Sequence, residues 1–165
     1  MAPRVEIAHL GDVAVITEIF FRCFPGIVAA ASLVWIIRPE HLPQDDDVRP
    51  WHERWPVARK GQDKEKLKEF FTGMADQHDT IMGKRPHVYL ELVFVDPSHH
   101  RHGLASAVLQ YASNLADTLV HPSYLDADQD VMPLYVKHGY VACSDVQPTS
   151  PMLAMLRPPK NVSSA

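Results

Sequence analysis

Cysteine is scarce: the 165-residue chain holds two, Cys23 and Cys143. Two thiols make no disulfide framework, so an apolar core must hold the fold, and both thiols are expected buried and reduced in a cytosolic protein. Long apolar runs are lacking too. The longest, from Gly26 to Ile37, falls well short of the ~20 residues that span a bilayer. The opening Met1-Ala2-Pro3-Arg4-Val5-Glu6 has no apolar stretch of the kind a secretory leader carries. A soluble, cytoplasmic protein with no membrane partner is the expectation. There is no excess of positive charge either: 16 Lys and Arg stand against 20 Asp and Glu, for a formal net charge of −4. No global basic field gathers nucleic acid. Metal-ligand spacing is also missing. Among ten histidines, His99, His100 and His102 crowd together, but neighbours in one turn rarely converge on one ion. No Cys or carboxylate stands at ligand spacing beside them, so no metal is expected.

What the chain does have is 46% apolar residues, enough for one domain with one core. That domain is read as residues 1–156, with Arg157 to Ala165, its paired prolines and Ser-Ser end forming a flexible tail. The most informative stretch runs from Leu90 to Ala105. An apolar strand stops at Pro97, and a turn containing Gly103 opens a helix. The first backbone N–H groups of that helix, near 101 to 105, have no intrahelical partner and sit at the positive end of its dipole. A pyrophosphate would satisfy them. Gly103 lets the chain approach such a ligand closely, and Ala105 keeps the next turn small.

This segment resembles motif A of the GCN5-related N-acetyltransferase (GNAT) family: a strand, V-x-P, a short spacer, then [QR]-x-x-G-x-[GA] at a helix start. His100-Arg101-His102-Gly103-Leu104-Ala105 occupies the signature, with His100 where Gln or Arg is usual. A second block resembles the family's motif B. Tyr124-Leu125-Asp126-Ala127-Asp128 matches a strand ending in L-x-A. Pro133-Leu134-Tyr135-Val136-Lys137-His138-Gly139-Tyr140 matches a short helix with Leu-Tyr that stops at Gly-aromatic. The wording from Arg85-Pro86 through Leu92 is most like a fungal branch. The resemblance implies an α/β fold whose central mixed sheet, flanked by helices, splays apart between the family's fourth and fifth strands. It also implies a hairpin of the second and third strands, which the residues between 38 and 62 do not supply. A sheet so truncated has an exposed edge, to be covered either by a second subunit in a homodimer, the favoured reading, or by the loop around Trp51 and Trp55.

Along the chain, Val5 to Ala8 reads as a strand, and Asp12 caps a helix with Ile16, Ile19, Phe20, Cys23 and Phe24 on its apolar face. Ile27 to Ile37 reads as a buried helix over the sheet. Four prolines and Asp45-Asp46-Asp47 between 38 and 61 argue for an irregular loop around Trp51 and Trp55. Leu67, Phe70, Phe71, Met74, His78 and Ile81 recur at helical spacing over Asp63 to Met82. A strand over 88–95, a helix over 103–116, a strand over 124–127 and a short helix near 131–138 follow. Tyr140 to Cys143 and Met152 to Leu156 read as two final antiparallel strands.

The resemblance implies acetyl-CoA as cosubstrate and acetyl transfer to a primary amine of a small molecule or peptide, by direct attack in a ternary complex. A second class stays open: a family-fold protein that has lost or exchanged the transfer, acting as a CoA-binding module or in another biosynthetic reaction. The pantetheine amides would pair with Val93, Phe94 and Val95. An N–H there would meet the thioester oxygen. Arg101 and the imidazoles of His100 and His102 would add positive charge beside the phosphates, on the loop that continues through Gly103, Leu104 and Ala105. Asp128 stands where many members place an Asn or Ser against the pantetheine, and can accept but not donate. Tyr135 occupies the family's general-acid position; its alternative role is a core tyrosine. Strict alternation puts Tyr89, Glu91, Val93 and Val95 on one face of the strand and Leu90, Leu92 and Phe94 on the other. Glu91 is therefore read as the general base, as an anchor for a neighbouring loop, or as a residue facing solvent. The acceptor would lie near Phe24 to Val28, Trp51 to Trp55 and Asp145 to Met152.

Overall fold

The computed structural model describes residues 30–38 and 63–160. The strand over 5–8, the helix capped by Asp12, Cys23 and the Trp51–Trp55 loop lie outside the described residues.

Strand β1 (Ala30–Ile37) stands where the apolar run suggests a helix over 27–37. A short apolar run does not distinguish the two states by periodicity, and the signal that decides it is the β-branched and aromatic group Val34-Trp35-Ile36-Ile37. β1 pairs antiparallel with β2 (His87–Val95) from Ala30↔Val95 to Ile37↔His87. β1 thus covers one side of β2 and stands at the end of the described sheet.

The register slips once: Leu33 faces Leu92 but Val34 faces Leu90, making Glu91 an extra residue on β2. Such a bulge bends the strand and re-aims its side chains. Alternation along β2 accordingly breaks at Glu91, because Leu90 and Val93, expected on opposite faces, pack into one apolar cluster.

Helix α1 (Lys64–Met82) starts where Asp63 accepts hydrogen bonds from the Glu65 and Lys66 N–H groups at 3.1 and 3.2 Å, a side-chain cap for otherwise orphaned donors. Helix α2 (Leu104–Leu119) follows β2, then come β3 (Ser123–Ala127), the short helix α3 (Met132–Lys137), β4 (Val141–Ala142) and β5 (Leu153–Arg157). Strand order is β1-β2-β3-β5-β4. Only β2 and β3 are parallel; the other neighbours run antiparallel.

The core has two halves, one on each face of this mixed sheet. Met82 and Ile81 of α1 join Tyr89, Tyr124 and Ala154 on one side. On the other, Leu109 and Ala112 of α2 and Tyr135 of α3 join Leu90, Leu125, Ala127, Tyr140 and Met155. Arg157, assigned to the tail by sequence, is instead the last residue of β5 and is buried. No helix among the described residues is long and apolar enough to cross a membrane.

Candidate active site

The β2–β3 ladder is short. Val88 pairs with Ser123 and Tyr89 with Tyr124, after which β2 runs on to Val95 and β3 to Ala127 without pairing to each other. Their outer edges remain held, β2 by β1 and β3 by β5 along its full length. Two parallel strands that part while each keeps its outer neighbour leave a cleft lined by main-chain amides, groups that must find partners.

At the end of β2 the chain turns sharply. Asp96 is buried, and its carboxylate accepts from the Ser98 N–H at 2.7 Å and from the Ser98 hydroxyl. Those two bonds, with a smaller contribution from His99, hold its carboxyl below the usual range. One 3₁₀ turn, Pro97–His99, follows. His100 Nε2 lies 3.0 Å from the Val95 carbonyl, which can only accept, so the ring N–H donates and ties the loop back to the strand end. Arg101 and Gly103 then take left-handed φ values of 66° and 79°, comfortable for glycine and costly for arginine.

Helix α2 begins at Leu104 without a side-chain cap. Its first helical bond runs from Ala107 N–H to the Gly103 carbonyl at 2.9 Å. The N–H groups of Leu104, Ala105 and Ser106 therefore have no acceptor within the helix. A Cβ built on Gly103 would meet nothing within 4 Å. Open space, outward amides and the positive dipole end coincide, with Arg101 and His102 exposed beside them.

Tyr135 and Glu91 lie on opposite faces of the sheet. Tyr135 is buried on the α2 side, in one cluster with Leu90 of β2 and Leu125 and Ala127 of β3. Its ring meets Tyr140 edge-on at 6.1 Å. Burial, then Tyr140, pushes its phenol up, so it stays protonated at neutral pH. Glu91 belongs to the α1 side: the Trp35 indole N–H donates to its Oε2, and Trp35 is the cross-strand partner of Tyr89, which packs on that side.

Two further residues were not singled out as site residues from sequence. Asp126 accepts at Oδ1 from Gln77 Nε2 and from the Tyr124 hydroxyl, both at 2.8 Å. Its Oδ2 is buried without a hydrogen-bond partner among the described residues, and burial pushes the carboxyl up. A charged residue inside an otherwise apolar strand, and Gln77 on the apolar face of a helix, were the available signals. Trp35 carried no signal, since its segment was read as helix.

Asp128 stands at the exit of β3, exposed, and accepts from the Asp130 N–H at 2.9 Å to cap the turn Gln129–Val131. Among the described residues no three His, Cys, Asp or Glu side chains are grouped to hold a metal ion. Of the proposed acceptor loops, only 145–152 is described. It is fastened to α1, where the Thr149 hydroxyl donates to the Gly73 carbonyl at 2.7 Å.

Residues 13–140 match the family model described as Acetyltransferase (GNAT) family. No curated protein matches the chain significantly. Among solved structures, mosquito arylalkylamine N-acetyltransferase like 5b aligns over 79% of this chain and 68% of its own, at 15% identity and a TM-score of 0.53. That likeness shows the fold. A histone acetyltransferase HPA2 and related acetyltransferase from Corynebacterium glutamicum shares 29% identity over 48% of this chain, with a TM-score of 0.38, and the chain covers 45% of that relative's length. AtaTR bound with AcCoA aligns over 76% of this chain and 92% of its own at 16% identity and a TM-score of 0.37. These likenesses favour no branch, fungal or other. With a match that runs from residue 13 to residue 140, the chain belongs to the acetyltransferase (GNAT) family.

Proposed function

We propose that the chain is an acetyl-CoA-dependent N-acetyltransferase that acts on a primary amine of a small molecule or peptide by direct attack, with both substrates bound together. The observation that carries this reading is the parting of β2 and β3 beyond Tyr89 and Tyr124, with Tyr135 on one face of the opening and Glu91 on the other. A group held in that cleft is reached by an acid from one side and by a base from the other.

The residues present fit acetyl-CoA. The uncapped start of α2, with Gly103 open in front, Leu104 and Ala105 offering N–H groups and Arg101 and His102 exposed, suits a diphosphate. The backbone of Val93, Phe94 and Val95 suits the pantetheine amides, and Asp128 can accept from an amide N–H. His100 frames the loop through the Val95 carbonyl rather than through the phosphate. Bound acetyl-CoA supplies an acetyl group activated as a thioester.

Three tasks remain for the chain. Glu91 takes the proton the amine must lose as it attacks, directly or through a water. An N–H of Val95 or its neighbour donates to the oxygen on which charge develops. Tyr135 returns a proton to the departing sulfur; a phenol, with an ordinary pKa of ~10, holds its proton more tightly than a thiol at ~8.5.

Thermal melts with acetyl-CoA test binding, because a ligand that prefers the native state raises the melting temperature. We expect a rise for the wild type and a smaller one for Arg101→Glu. Tyr135→Phe should keep the rise yet lose roughly 10²- to 10⁴-fold in turnover. An unchanged rise in Arg101→Glu would count against the loop, and undiminished turnover in Tyr135→Phe against the acid. A clear melting shift with no transfer to any amine would favour the CoA-binding module instead.

A further inference from the structure

We propose that Trp35 is a positioning residue for Glu91, its indole N–H fixing the direction of the carboxylate at the mouth of the cleft. The inference rests on the acetyltransferase reading, which makes Glu91 the base.

Glu91 needs such a device. It is the extra residue of the β2 bulge, so ladder geometry, which aims ordinary strand residues, aims this one less firmly. Trp35 is placed to supply what the ladder does not. Its cross-strand partner is Tyr89, so Glu91 lies diagonally from it, within reach of an aromatic side chain. The indole N–H donates to Glu91 Oε2. Burial alone does not explain the tryptophan, whose surface remains 45% exposed.

The donor's chemistry suits a base. A hydrogen bond to the ionised carboxylate favours that form, the form in which a base accepts a proton. Indole is a donor only and does not titrate in this range, so it never competes for the proton or adds a positive charge that would weaken the base. Among the described residues, Tyr89 of β2 and Asp126 of β3 are ionisable groups that bear on this corner. Burial, then Asp126 and Glu91, pushes the Tyr89 phenol well above its ordinary value. It therefore stays neutral, while the Trp35 indole donates to the Glu91 carboxylate.

The test follows the indole protons by NMR. Three tryptophans, Trp35, Trp51 and Trp55, make assignment by Trp35→Phe direct. We expect the Trp35 indole resonance to move with pH through the carboxylate range, and that movement to vanish in Glu91→Gln. We also expect Trp35→Phe, assayed with tyramine, spermidine and a lysine peptide as acceptor probes, to shift the acidic limb of the rate profile up by about one pH unit. It should lower kcat about tenfold while leaving KM for acetyl-CoA unchanged. Turnover with a pH-independent indole, or a Trp35→Phe profile identical to the wild type, would overturn the positioning role. A titrating indole in a protein that binds acetyl-CoA but acetylates no probe would instead overturn the reaction on which the role depends.

Discussion

His78 and His87 form a proton chain whose direction follows from one carbonyl. His87 Nδ1 lies 2.6 Å from the Arg85 carbonyl, which only accepts, so Nδ1 carries the proton. The neutral ring then offers Nε2 as an acceptor, and His78 Nε2, 2.7 Å away, must donate. His78 also stacks on Tyr89 at 4.6 Å. A second proton on His87 would put two donors face to face, and one on His78, at Nδ1, would place a positive charge inside the buried pair. Burial, then His87, lowers the pKa of His78 to about 4, and burial lowers that of His87 as well. Since an unfolded histidine titrates near ~6.5, the folded chain binds fewer protons between that value and about 4. The stability held by the pair is therefore complete above the unfolded value. It falls with acidification through this window, by about 1.4 kcal/mol per pH unit for one ring. His78→Phe keeps the stack but cannot take up the proton. At pH 7.5 it should cost about 1–3 kcal/mol through the orphaned His87 Nε2, and the gap to the wild type should close as pH approaches 5. Denaturant titrations at the two pH values check this, and a gap independent of pH would contradict it.

At the scale of elements, the sequence was readable where a periodic pattern met its terminator. α1 was legible from Leu67, Phe70, Phe71, Met74, His78 and Ile81, and begins at the expected Asp63. β1 was not, because eight mostly apolar residues, AASLVWII, fit a buried helix as well as a strand. The bulge at Glu91 was invisible as well. It is a mismatch between two strands and leaves no mark in either alone, so the facing of Val93 was misread. Gly73 in the middle of α1 likewise had no local explanation. The reason is the 145–152 loop: a Cβ on Gly73 would stand 2.2 Å from the Thr149 carbonyl oxygen. In an exposed helix, Gly→Ala gains about 1 kcal/mol. Here the obstacle is backbone, held in place by the Thr149 hydroxyl on the Gly73 carbonyl. The clash should win. Gly73→Ala is expected to lose about 1–3 kcal/mol net and to speed amide exchange over 145–152. A melting temperature at or above that of the wild type would show that the loop yields freely.

For the whole molecule, legibility runs from residue 87 onward, where the two motif blocks fix strand, loop and helix in order and so locate Tyr135, Gly103 and the cleft. What joins those parts was hidden. Arg157, four places past Leu153 in a segment that reads as the approach to a tail, closes the structure from behind the site. Its guanidinium donates Nη1 and Nη2 to the two Asp117 oxygens at 2.8 and 2.7 Å and Nε to the His138 carbonyl at 3.2 Å. The pair thus ties β5 to the last turn of α2 and to the end of α3. Helix α2, at whose N-terminus we propose the phosphates bind, and helix α3, which carries Tyr135, are anchored at one point. Arg157's hydrogen bonds, the largest effect, hold the Asp117 carboxyl below its usual range, so this contribution is present above pH ~3.9 and fades as pH falls through the lowered folded value. Arg157 is 2% exposed. Arg157→Met should then cost about 2–4 kcal/mol, because it leaves the Asp117 carboxylate with the Lys160 N–H at 2.7 Å but without the guanidinium that neutralises it. Adding Asp117→Leu removes the stranded charge, and the double variant should recover most of that loss, since an apolar pair of similar volume often replaces a buried ion pair at little cost. Chemical denaturation of the two variants, with acetyl-CoA melts on the double, separates the outcomes. A double variant as unstable as the single would mean that Arg157 acts through the His138 carbonyl and its packing. Recovered stability with normal acetyl-CoA binding would mean that the clamp sets the strength of the fold and leaves the geometry of the site to the β2–β3 cleft.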